Sequence, residues 1–318
     1  MDRLDRAGRL GAYGAALVMT PYVLIKVSWV VGAVAGLLPI GDGFGLAGWV
    51  VLNTATIGMA GLGIVMALAL VRPWGMRLPG PLVAFLAWVG SGFLVAMLPY
   101  AVLDSLLGVQ GGEQRHGHDG AAMPGWEAAL IQTSFVGMGL GLAVAVPAYL
   151  RRRWPEVFAG RVGDGRGSRR RTLSAVGVGA AIGMVWLYWA IGGTAGVAHP
   201  ADRGADWRLL SGICGLWAFT ASAATWAVSR GRPTRLPHWV PLTFGWLGTG
   251  SLFAWSGWKL PLTLYVQLGH PAGTSLPENL TVAAVLHTAA VVAGTVMVSA
   301  LVRARGGLRT PDGPHPSV

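Results

Sequence analysis

The feature that most constrains this chain is the length of its uncharged runs. Between Arg9 and Arg72 only Lys26 and Asp42 carry a charge, and long apolar stretches recur as far as residue 302. Charged residues make up 12% of the chain, against about 25% in a soluble domain. Too few polar side chains remain to cover a water-facing surface. A helix needs about 20 apolar residues to cross the hydrocarbon core of a bilayer, so these runs imply a polytopic membrane protein. The runs are continuous rather than alternating, which favours helices over a β-barrel. The expected fold is all-α, with eight transmembrane helices near 14–38, 47–71, 81–103, 126–149, 174–197, 207–229, 239–258 and 280–302. The first run is too long for the core of a signal peptide and reads as a retained span.

Charge predicts the orientation. The net charge of +11 does not point to nucleic acid, because the basic residues sit in loops between spans. The N-terminus, residues 72–80, 150–173 and 230–238, and the C-terminus carry most of the 24 Lys and Arg; the opposite loops carry most of the 13 acids. Both termini are therefore expected in the cytoplasm. Lys is almost absent, with only Lys26 and Lys259, and this Arg bias with 49 Gly suggests a bacterial, GC-rich origin and a bacterial cytoplasmic membrane. A single cysteine, Cys214, rules out a disulfide within the chain.

Two halves of the sequence repeat at an offset near 158 residues. Arg77-Leu78-Pro79 leading to Trp88-Val89-Gly90-Ser91-Gly92 recurs as Arg235-Leu236-Pro237 leading to Trp246-Leu247-Gly248-Thr249-Gly250. Trp29, Gly32 and Gly36 match Trp189, Gly192 and Gly196; Trp49 and Asn53 match Trp207 and Ser211; the block from Ala128 to Thr133 matches Ala283 to Thr288. Four spans per half give both copies the same orientation, a parallel repeat. The expected division is 1–150 for one repeat, 151–171 for a basic linker, 172–303 for the second repeat and 304–318 for a disordered tail. The linker, with Arg151-Arg152-Arg153 and Arg169-Arg170-Arg171, is expected to lie on anionic lipid headgroups. The glycines Gly32 and Gly36, with Ser28, read as a small-residue packing stripe.

The fifth span reads Trp186-Leu187-Tyr188-Trp189-Ala190-Ile191-Gly192-Gly193. It resembles the Tyr-Trp-Ala-Leu-Gly-Gly signature of a family of small four-helix bacterial membrane proteins, duplicated here. That family has no established activity, so the resemblance implies a membrane bundle and no reaction. The first half departs from it, with Lys26-Val27-Ser28-Trp29 in place of the motif.

Polar residues inside the spans are the candidates for function. Lys26 falls near the middle of its predicted span, where a Lys costs about 2.5–3.5 kcal/mol and does not face lipid. It either meets an anionic substrate or is hydrogen-bonded within the bundle. Gln132-Thr133 and His287-Thr288 occupy matching positions, and Asn53 and Ser211 fall at a similar depth on their own spans. Sites in repeated membrane folds lie at the repeat interface, so a polar cavity open to the outside and lined by Asn53, Gln132, Ser211 and His287 is expected there, with Lys26, Thr133 and Thr288 as further candidates for binding a substrate; interhelical hydrogen bonding is the plainer alternative. The outer loops hold His116, His118, His199 and His270, which could assemble a metal site, but without the spacing of a known motif. Apolar segments after Pro99 and Pro261 could form short interfacial helices.

No nucleotide-binding or hydrolase motif occurs, and no cofactor is implied. Three classes remain: passage of a small molecule between the repeats, a non-catalytic subunit that stabilises a protein partner, and, least supported, a membrane enzyme using outer His and carboxylate groups.

Overall fold

The computed structural model describes residues 3–40, 45–107, 125–153, 155, 169–269 and 276–306. Eight long helices carry nearly all of them: α1 (Arg3–Val34), α2 (Leu46–Ala69), α3 (Gly80–Leu107), α4 (Gly125–Arg153), α5 (Arg169–Ala190), α6 (Ala205–Arg230), α7 (Trp239–Gly269) and α8 (Leu280–Gly306). Among the described residues there is no strand beyond one isolated bridge between Val197 and Glu278. Seven of the helices are long and apolar enough to cross a membrane; α7 is not among them. Their outward faces carry large apolar side chains, including Leu17, Val51, Met184 and Val285, the surface that lipid rather than water accommodates.

Contacts divide the chain into two compact units, Met1–Ala87 with Ala101–Arg153, and Trp88–Tyr100 with Trp154–Val318. This differs from a cut after residue 150, because the middle of α3 belongs to the second unit. The linker and tail residues lie largely outside the described set.

In the first unit α1 packs on α2 and α4. The α1–α4 contact is made by small residues. A Cβ on Gly11 would stand 2.7 Å from the Gly141 carbonyl oxygen, and one on Gly8 would overlap Ala148. Such close backbone approach is how apolar helices gain dispersion contacts where lipid supplies no hydrophobic drive. On the same unit Arg152 donates to Leu70 O at 2.6 Å, and Arg153 donates to Met76 O and Leu78 O. These guanidinium groups take up carbonyls left over where α2 ends and the chain turns into α3.

Helix α1 stops in a Schellman motif: Gly36 N donates to Ala33 O and Leu37 N to Gly32 O, with Gly36 at φ +69°. Helix α5 ends the same way at Gly192, φ +103°, with Gly193 N donating to Tyr188 O. Gly36 and Gly192 are thus helix stops, not members of a packing stripe. They stop because the left-handed conformation is open to glycine at no steric cost.

The second unit packs α5, α6, α7 and α8 around Trp186, Trp189, Cys214, Leu252 and Met297. Helix α7 crosses the middle of α3 at the two copies of the Trp-x-Gly-x-Gly motif. Trp88 Nε1 donates to Thr249 Oγ1 at 3.1 Å, and the Trp88 ring lies 4.7 Å from Phe253. A Cβ on Gly92 would overlap the Gly250 backbone, and one on Gly250 would lie 2.6 Å from Trp88 O. Both α3 and α7 run on as single helices through Pro99 and Pro261, so these prolines do not begin separate interfacial helices. Helix α7 is long, but its Thr249, Ser251, Ser256 and Thr263 are all buried. A helix whose polar groups turn inward can be embedded with a lower hydropathy than its neighbours.

The crossing yields a test. Gly92→Ala forces the α3 and α7 backbones apart and should lower the thermal stability of the detergent-purified protein by about 1–3 kcal/mol. Gly90→Ala meets open space and should leave the melting temperature unchanged or raise it.

Candidate functional site

The first unit uses its polar residues on one another. Lys26 lies about two turns before the end of α1, roughly 12 Å from it. It is nearer a helix end than a span of 14–38 would place it, because α1 begins at Arg3 and is stopped by Gly36. The side chain is 7% exposed. Its Nζ donates to Asn53 Oδ1 at 3.0 Å and stands 4.1 Å from the centre of the Trp29 ring. Asn53 Nδ2 in turn donates to Trp49 O, and the Trp29 and Trp49 rings stack at 6.0 Å. An amide oxygen and an indole face therefore hold the ammonium without a carboxylate among these contacts.

Gln132 and Thr133, expected beside Asn53, are exposed on α4 instead. They line a shallow groove with Val18, Val136, Gly137 and Leu140. Thr133 Oγ1 bonds back to Ala129 O at 2.7 Å. Thr288 is likewise exposed on α8.

The second unit does hold a cavity. It offers about 30 Å³, room for a water or two and well below the size of ligand pockets at about 300–1,000 Å³. Four indoles wall it: Trp186 and Trp189 from α5, Trp207 from α6 and Trp255 from α7. Ser211 and Cys214 of α6 border it, and His287 enters from α8. Two charged groups complete the lining, Lys259 from α7 and Glu278 from the loop before α8.

All but one of the polar groups just named are placed by identifiable bonds. His287 Nδ1 shares a hydrogen with Ser256 Oγ at 3.1 Å, which of the two donates depending on the tautomer. Its ring lies 6.2 Å from Trp186. Ser256 is fully buried and does not line the cavity, so this pair orients an imidazole and does not present a nucleophile. Ser211 Oγ donates to Trp207 O. Glu278 is buried and its Oε1 accepts from Trp207 Nε1 at 3.2 Å. Lys259 Nζ lies 5.6 Å from the Trp255 ring. Among the described residues, no hydrogen bond or ion pair engages that ammonium.

Two loops fix the position of Glu278. Ala198 N and His199 N donate to Pro277 O, and Asn279 N donates to Gly196 O. Asn279 then caps α8 through Thr281 N and Val282 N. Beneath this cap Trp189 Nε1 donates to Ala195 O, while buried Arg203 donates to Gly192 O and Gly193 O and stands 5.5 Å from Trp207.

Of the four histidines expected to assemble a metal site, His199 is exposed, beginning a short 3-10 turn; His116, His118 and His270 lie outside the described residues. Among the described residues no group of three or more His, Cys, Asp or Glu could hold a metal. Reasoning from sequence missed Lys259, Glu278 and the Trp cluster. One signal was available: a chain with two lysines against 22 arginines has reason for each lysine.

The fold and site define an all-helical protein of membrane type with a Trp-walled crevice in its second unit. No family model, curated protein or solved structure matches the chain.

The Lys26–Asn53 pair can be tested by a mutant cycle. Lys26→Met leaves Asn53 Oδ1 buried without its donor and should cost about 1–3 kcal/mol of stability. The double change Lys26→Met with Asn53→Leu should recover most of that loss, read as melting temperatures.

Proposed function

We propose that the chain is an eight-span protein of the bacterial cytoplasmic membrane that binds a small molecule in the crevice of its second unit and assists its passage. Both termini face the cytoplasm in this reading, and the spans form two parallel four-helix repeats. The observation that carries the function is the crevice itself, where four indoles surround an imidazole, an ammonium and a carboxylate.

Several features support the repeat. The matched pairs Trp29–Trp49 and Trp189–Trp207 are both in ring contact, at 6.0 and 5.7 Å. Gly92 meets Gly250, its counterpart 158 residues on. The buried polar face of α7 supports counting it as the eighth span.

A second reading, a non-catalytic subunit of a membrane complex, draws on the first unit, whose Lys26 and Asn53 satisfy each other. The Arg-rich linker on anionic headgroups belongs to either reading.

Cys214 offers a direct test, being the one cysteine of the chain and a lining residue. Cys214 is 2% exposed, so a small methanethiosulfonate reagent should modify it in the folded protein only as the crevice opens, and more slowly than in the denatured chain. Ser211→Val, which narrows the crevice, should slow that reaction about tenfold or more. If Cys214 reacts only after denaturation, or at the same rate in the variant, the crevice is not an entry to a site.

A further inference from the structure

We infer that the crevice of the second unit is a water site, in which a water or two bridge the Lys259 ammonium to the Glu278 carboxylate and so fasten the crevice shut. This device rests on the small-molecule reading above and governs entry to its site.

Size and chemistry select the occupant. Room of about 30 Å³ admits a water or two and no organic guest. A buried water needs about two to four polar partners, and the lining supplies them. His287 uses Nδ1 on Ser256, which leaves Nε2. Glu278 uses Oε1 on Trp207, which leaves Oε2. Lys259 lines the same void, and among the described residues no hydrogen bond or ion pair takes up its N–H donors. An ammonium and a carboxylate on one small void attract each other, and an unanswered charge is costly in an apolar body. Among the described residues the two make no direct ion pair. Water joins such groups nearly as well as direct contact does.

The bridge has a mechanical consequence because its ends sit on separately held pieces. Glu278 belongs to the cap, where Asn279 N donates to Gly196 O and Ala198 N to Pro277 O. Other bonds tie that cap to α5 through Trp189, to α6 through Trp207 and to α8 through Asn279. Lys259 rides on α7, one turn past Trp255. The waters between Lys259 and Glu278 therefore fasten α7 to the cap. Cys214 borders the same void and is buried, so a loosened fastening should expose it.

The test is a double-mutant cycle on the full chain in lipid nanodiscs, read as the rate at which a small methanethiosulfonate labels Cys214. Lys259→Met keeps the apolar stem, and Glu278→Gln still accepts from Trp207. Each single variant should speed labelling about tenfold. The double variant should be no faster than the faster single, because one bridge is lost only once. A single variant that leaves the rate unchanged, or single effects that multiply in the double, overturns the bridge. A density map that shows the two side chains in direct contact overturns the water. The same four proteins are also melted. If Cys214 reacts in none of them before denaturation, the small-molecule reading falls and the melting temperatures decide the bridge by themselves. Losses in both single variants with no further loss in the double sustain it; unchanged or additive values overturn it.

Discussion

A polar group placed inside an apolar helical body must be answered by protein atoms, because neither lipid nor a packed core supplies a partner. The two units meet this requirement differently. In the first, Lys26 is enclosed by Asn53 and two aromatic rings. In the second, His287 is held by Ser256 and Glu278 by the Trp207 indole, while Lys259 borders a small void. The difference between the two interiors comes down to which side chain brings the charge and what already faces it.

Close backbone contact makes these placements possible. Where α1 meets α4, and where α3 meets α7, glycines remove the side chains that would separate the helices. The surrounding indoles then fill the wider parts of each unit. Small residues set the distance and large ones set the shape, which is how a bundle without a hydrophobic drive between its helices still acquires a defined interior.

Much of the helical layout was legible in the sequence. Uncharged runs locate all eight helices, since crossing length is a simple physical requirement. Their ends were less legible. Helix α1 extends back to Arg3, and α7 passes Pro261, because an amphipathic or proline-containing end can continue a helix when neighbours support it. The site was legible in part. Asn53, Ser211 and His287 were recognisable as polar residues at depth, and Lys26 as an anomaly. Their pairings were not, because facing across helices depends on rotation, and a rotation of one residue moves a side chain by about 100°. Gln132 and Thr133 show this: they match His287 and Thr288 in sequence, yet turn outward on α4. Glu278 and Lys259 gave no such signal, since both lie just beyond the ends of the apolar runs, yet the chain folds both against the indoles.

The cap over the second unit has a bearing on how rigidly the crevice is held. Residues around Gly196 and Pro277 are tied by main-chain bonds, and Arg203 clamps the end of α5 from within. Glu278 is thereby anchored through its own backbone, so the depth and direction of its carboxylate are set by the two loops and not by whatever fills the space beside it.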